Sequence, residues 1–382
     1  MAQVETSHQG WFHRILASIK GVAAGILLFL LAFPLLYWNE GRAARASMAI
    51  GEGRGQVVTG APDRVDAENE GKLVHLVGLA SSTDPLQDSE FNLNIQSALR
   101  LKRSAEMYQW KEQKKQEKRK KLGGGEETVI TYTYEKVWAA ELIDSSRFHE
   151  SGYQNPYSMS YRSTELAARE VHVGVFMLPG DLVRQIDNWE RYALPTEGDT
   201  VANGIDRHLA DGGYYLGRFP KNPQIGDHRI GFEVCMPTSV TVVAAQIGNS
   251  FHPYRTSKGV DIYKLMVGEH SQTAVFDVLE QENTVLTWVL RVCGFLLMVF
   301  GLSLIFRPLV VVADVVPVVG DLLGMGVGVF SLLIATPLTL LTVAVGWMVH
   351  RPLIGCVFLA LTAGAIFLVI KLKSSRAQRK HS

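Results

Sequence analysis

The chain has 382 residues, with 38 Lys and Arg against 37 Asp and Glu, a formal net charge of +1. A balance this close to neutral sets up no global field for nucleic acid or for an acidic substrate. The three cysteines are Cys235, Cys293 and Cys356. Two of them lie in apolar runs, so the middle of the chain holds one cysteine, too few for an internal disulfide or a cysteine zinc site. Cys235 reads as a small buried hydrophobe.

In chain order, a short arm at 1–20 leads into Gly21–Trp38, "GVAAGILLFLLAFPLLYW". This uncharged run is long enough for a bilayer core. A cleaved signal peptide is the rival reading, with "ARA" at 44–46 as a weak cleavage site. The Tyr37-Trp38 pair fits better as the interfacial belt of a retained first transmembrane helix, 21–38. Directly after it stands Asn39-Glu40-Gly41-Arg42, and a near copy, Asn69-Glu70-Gly71-Lys72, follows thirty residues later. The first copy reads as a helix-ending turn, with Gly41 free to take positive φ and Arg42 reaching headgroups. The second reads as a turn that launches a strand.

Residues 39–284 read as one large extramembrane α+β domain, mainly antiparallel β. Strand-like runs fall at 72–80, 128–142, 170–178, 228–235, 239–248 and 260–268. A helix is expected after Pro179, with Asp181 as N-cap and Leu182, Ile186 and Trp189 on one face. The basic run 111–127, "KEQKKQEKRKKLGGGEE", is either a nucleic-acid or anionic-lipid patch or a flexible solvated loop; without interleaved aromatic residues the loop is the better reading. The absence of a breaker from Ser271 to Phe306 suggests one helix running from the domain into the second span, 285–306.

The segment 307–321 is too short to span and too apolar for a free loop, so an interfacial or re-entrant piece is expected. The third span is 322–349, with Pro337 inside, and the fourth is 353–370, joined to it by His350-Arg351-Pro352. Four spans place both termini on one side. The basic tail 371–382, with Arg14 and Lys20 in the arm, puts that side in the cytoplasm and the domain outside it. Gly320, Gly324, Gly326 and Gly328 would allow close helix approach, within a bundle or between copies.

Chemistry is sparse. The chain has no Gly-rich phosphate loop, Gly-x-Ser-x-Gly, His-Glu-x-x-His or Cys-x-x-Cys motif, and it calls for no cofactor, metal or catalytic residue. Asp206, His208, Asp211, Asp227 and His228 would make an acid–base or metal site only if they converged; their Gly, Pro and Asn context is ordinary turn chemistry. Ionisable groups near the membrane are the better candidates. These are Arg291, Arg307, Asp314 and Asp321, the last three spaced by seven. They line an ion path or a headgroup site, or else they pair with one another at the water boundary.

"NEGRA", "ENEGKLVHLVG", "EMYQW", Asn155-Pro156, "IGDHR" (225–229) and "PLTLLTVAVGWMVHRPL" (337–353) together resemble the transmembrane protein 43, or LUMA, family, in order over about residues 20–370. The resemblance implies a four-span membrane protein with a large lumenal or periplasmic domain. It implies self-association, help in organising other membrane proteins, and a suggested ion-channel role, with no catalytic residues to carry over. The short arm and the lack of a nuclear-targeting signal point to a bacterial member in an inner membrane. A eukaryotic member would sit in the endoplasmic reticulum or inner nuclear membrane. The expected function is a self-associating membrane scaffold that acts on lipids or membrane proteins, without nucleic acid. The alternatives are an ion channel with Asp314 and Asp321 near the path and, more weakly, an envelope or lipid-modifying enzyme.

Overall fold

Period-2 and helix-period segments of this sequence fold into separate parts. In the computed structural model the described residues are 3–194, 207–210 and 212–348, together with Leu361 and Gly364. Apart from Leu361 and Gly364, the expected fourth span and the basic tail lie outside them, as do Asp206, Asp211 and the side chain of His208. The chain divides into a β-rich unit, Gly51–Lys115 with Thr131–Asp277, and a helical unit, Val4–Ile50 with Gln116–Ile130 and the chain from Val278 onward.

The β-rich unit is built on two sheets. In one, Arg100–Lys120 pairs antiparallel with His228–Cys235, in register from Met107 opposite His228 to Arg100 opposite Cys235. Gly213–Leu216 and Arg207–Ala210 continue that sheet. In the other, Leu73–Ser81 pairs antiparallel with Thr238–Ile247, which also pairs with Lys264–Val267. The inward residues of both sheets, among them Leu76, Val173, Phe176, Leu101, Phe232 and Val242, form one core. Alternation along 100–109 explains why these residues meet: every second side chain is buried. A buried pair is set into this core, with Arg103 Nη1 bonded to both Asp88 oxygens at 2.8 Å.

Two expectations for this unit change. The run 170–178 is two strands, Val171–Val173 and Phe176–Leu178, folded back on each other. The helix after Pro179 is one turn only, α2 (Gly180–Val183), and its N-cap is Pro179 without a side-chain cap bond. Asp181 pairs instead with Arg184, while Leu182 and Ile186 are buried by the core. Without a cap, helical spacing alone does not extend the turn.

The helical unit carries three apolar helices. α1 runs Trp11–Gln56, α3 runs Gln272–Ala313 and α4 runs Pro317–Met348. Each contains an 18-residue window with mean hydropathy between 2.1 and 2.4, long enough to cross a bilayer. Those windows are mostly exposed, with Leu27, Leu30, Val292, Phe300 and Leu333 facing outward. That is the pattern of helices that meet lipid. The helices pack through Ala32, Leu36, Met298, Leu302, Ala335 and Val343. α1 and α3 touch backbone to backbone: a Cβ on Gly25 would lie 2.7 Å from the carbonyl oxygen of Gly301. Of the four glycines expected to do this, Gly320 lies against Asp314 and Gly324 against Val310, whereas among the described residues nothing faces Gly326 or Gly328.

The helices are longer than the apolar runs that announced them. Helix-forming Ala, Arg and Met carry α1 past Trp38 to the Gly-rich stretch at 51–55. At the start of α3, Ser271 Oγ accepts the amide of Ala274 at 3.2 Å, and the helix runs unbroken through Pro308. Hence 307–321, expected as an interfacial or re-entrant segment, is not an element of its own. It is the end of α3, a three-residue break at Asp314–Val316, and the start of α4. Pro317 is the first helical residue of α4, where its missing N–H costs nothing. Nor is the basic run 111–127 a loop. It is a β-hairpin whose strands, Arg100–Lys120 and Glu126–Ala139, enclose a tip at Lys121–Gly125. Lys, Glu, Gln and Arg leave 111–119 mostly exposed while the backbone still pairs.

Candidate functional site

The ionisable residues of the helical unit gather in two layers. The first is built by the motif that ends the first apolar run. Asn39-Glu40-Gly41-Arg42 is fully helical, so Gly41 forms no terminating turn. The helix persists because three of the four side chains are held by its neighbours. Asn39 Nδ2 donates to the Thr287 carbonyl at 3.0 Å. Arg42 donates to Asn283 Oδ1 at 3.0 Å and Thr287 Oγ1 at 2.8 Å, so it is taken by α3 rather than by headgroups. Glu40 is 1% exposed and accepts two bonds from Arg291, Nε at 2.7 Å and Nη2 at 2.8 Å. Trp347 Nε1 on α4 donates to the same carboxylate. One glutamate thus joins all three helices. Gly346 makes room for it, since a Cβ there would fall 2.7 Å from Glu40 Cβ.

The Arg291 guanidinium also lies over Trp288, 4.8 Å from its ring centroid. Exposed Tyr37, Trp38 and Trp288 surround this layer, the residue set of a membrane–water interface. A bidentate arginine–carboxylate pair at that depth satisfies both charges where each alone would be costly.

The second layer centres on Asp314, 1% exposed, in the α3–α4 break. Arg14 Nη2 donates to its Oδ2 at 2.6 Å and Lys120 Nζ to its Oδ1 at 2.6 Å. Lys120 also donates to Asp321 at 2.7 Å. The hairpin tip fits against the break through Gly123, whose amide donates to the Val315 carbonyl at 3.0 Å. Trp11 Nε1 caps the end of α3 by donating to the Val311 carbonyl at 3.0 Å. Gly124 has φ +80°, and a Cβ on it would stand 2.3 Å from Trp11, so both its conformation and its contact require glycine.

Of the four membrane-level candidates, the structure therefore brings Asp314 and Asp321 together, gives Arg291 to Glu40, and leaves Arg307 exposed with no partner among the described residues. The expectation that these four pair with one another is corrected. A helix break separates the spacing of seven, and the partners come from α1 and the hairpin. Arg14, Lys120 and Trp347 were missed as site residues. Arg14 carried a signal, being a lone cation beside the apolar Trp11 and Phe12. Lys120 carried none beyond its place before three glycines.

The second Asn-Glu-Gly copy does different work, in the β-rich unit. Asn69 closes a 3-10 turn, Ala67–Asn69, and Gly71 follows at φ +73°. Glu70 accepts the Gly248 amide at 2.9 Å, and Lys72 leads into the strand from Leu73. Asp227 and His228 do not converge on a shared centre. Asp227 accepts bonds from Tyr215 and from the Gln224 amide, whereas His228 is buried edge-on to Tyr161. No group of three or more potential metal ligands exists among the described residues.

Comparison with known proteins gives this pattern a family. The family described as Transmembrane protein 43 matches residues 107–352. Human Transmembrane protein 43 is 34% identical over 394 aligned residues, covering 99% of this chain and 96% of its own length. The mouse protein is also 34% identical, covering 92% and 90% respectively. The chain belongs to the transmembrane protein 43 family. A fruit-fly homologue at 32% identity, covering 88% of this chain, extends the family beyond vertebrates. No solved structure matches the chain. The family match takes in Lys120, Arg291, Asp314, Asp321 and Trp347, while Arg14 and Glu40 precede it.

Proposed function

We propose that this member of the transmembrane protein 43 family is a non-enzymatic membrane scaffold: it self-associates through its spans and uses its β-rich extramembrane domain to hold membrane proteins or lipids. The observation that carries this reading is that Glu40, Arg291, Asp314 and Asp321 are all engaged by opposite charges. Groups committed to joining helices are poor carriers for a moving ion, which favours assembly over conduction. Support for self-association comes from α4, where among the described residues nothing packs on Gly326 and Gly328. Arg14, Lys20 and the basic tail support cytoplasmic termini.

The test uses purified full-length chain in mild detergent and in liposomes. A defined multimer with silent liposomes is the expected result. A strict monomer in every mild detergent would sink the scaffold, and flux abolished by Asp314→Asn or Asp321→Asn would establish the channel instead.

A further inference from the structure

Two crevices in the helical unit meet at one arginine. One, about 200 Å³, has polar walls that include Ser47, Glu280, Asn283 and Thr287. The other, about 260 Å³, lies between α3 and α4 and is walled by Phe295, Leu340 and Val343. Trp288 and Arg291 line both. Along α3 the sequence runs from polar Glu280 through Trp288 and Arg291 to apolar Phe295, so the joined groove passes from water level into the hydrocarbon.

Arg291 spends Nε and Nη2 on Glu40, and among the described residues Nη1 has no acceptor. The Glu40 carboxylate lies on the buried side, covered by Arg291 and Trp347. Arg42 adds a second cation to the layer, hydrogen-bonded only to neutral groups. The groove therefore offers a guanidinium N–H at headgroup depth, beside the Glu280 carboxylate on its polar wall, with an apolar slot directly beneath.

We propose that this groove is a phospholipid site: Arg291 Nη1 donates to a phosphate oxygen, and one acyl chain lies between α3 and α4 against Phe295, Leu340 and Val343. An anionic oxygen is the complement of an arginine N–H in such a setting, and the apolar side chains of the slot suit a hydrocarbon segment. The site does not depend on whether the chain self-associates.

Native mass spectrometry of the full chain, released from detergent micelles, tests it with two matched probes, dioleoyl phosphatidylglycerol and dioleoylglycerol. One phosphatidylglycerol should be retained per chain, at least tenfold more strongly than the diacylglycerol. Leu340→Trp, which fills the slot without touching the Glu40–Arg291 pair, should cut retention at least tenfold while leaving the unfolding temperature unchanged. Arg291→Lys, which keeps a charge for Glu40 but removes Nη1, should erase the preference for the phosphate. Equal retention of both lipids would overturn the headgroup assignment, and retention untouched by Leu340→Trp would overturn the slot. If no lipid is kept, and a cysteine at 340 crosslinks to cysteines placed in 353–370, the chain itself fills the groove and the proposal fails.

Discussion

At the residue scale, Glu40 carries more of the helical unit than any other side chain, because α1, α3 and α4 all meet on it. Removing one partner of a buried ion pair strands the other, at a cost of about 3–5 kcal/mol. Glu40→Gln and Arg291→Gln should therefore each lower the unfolding temperature in detergent sharply, while the double variant loses much less than their sum. Additive losses would mean that the two charges act separately. His228 offers a second check. Burial lowers its pKa below the ordinary 6.5, and among the described residues Nε2 has no partner. Its folded pKa lies below the unfolded one, so the unfolded chain binds the proton first. Stability is full above about pH 6.5 and declines as pH falls toward the folded value. His228→Phe should flatten that part of the melting-temperature profile between pH 7.5 and 5.5; an unchanged slope would place the titration elsewhere.

At the element scale, the hairpin 100–139 shows how far sequence could be read. In its inner half every second residue from Leu101 to Gln109 is buried, and the strand near Tyr132 was legible as the run 128–142. Its outer half is polar on both faces, which removes the period-2 signal and makes a paired ribbon resemble a loop. The same reason explains the longer helices: apolar run length marks the bilayer portion of α1 and α3, and the polar continuations carry no such mark. Asn39-Glu40-Gly41-Arg42 was visible as a motif, but its role depends on Thr287, Arg291 and Trp347, some 250 to 300 residues away. Partners that distant leave no local trace. The tip supplies a prediction at this scale. Gly124→Ala adds a Cβ against Trp11 and strains a positive φ, costing about 1–2 kcal/mol. Amide exchange in 116–130 should accelerate while the strands at 228–247 stay protected. Unchanged exchange at the tip would show that it is not held by this contact.

For the whole molecule, the two layers bear on how the helices stand in a membrane. Arg14 and Glu40 are separated along α1 by a rise of roughly 39 Å at 1.5 Å per residue. That is close to the full thickness of a bilayer with its headgroup regions, about 40–45 Å. Each layer thus suits one interface, with apolar α1, α3 and α4 segments between. Lys120, Gly123 and Gly124 belong to the layer of Arg14 and Asp314. In sealed vesicles, a cysteine replacing His8 should therefore react with a membrane-impermeant maleimide from one side and a cysteine replacing Arg45 from the other, while a cysteine replacing Lys121 reports whether the charged ribbon, which cannot cross bare hydrocarbon, reaches the His8 side at all. The Lys121 result decides how Asp314 is held. Labelling from the Arg45 side would mean that in the membrane Asp314 and Asp321 lose Lys120, leaving Arg14 as their nearest cation and reopening the ion path as the better reading of these carboxylates. Labelling from the His8 side keeps every charge in the layer paired, as a scaffold requires.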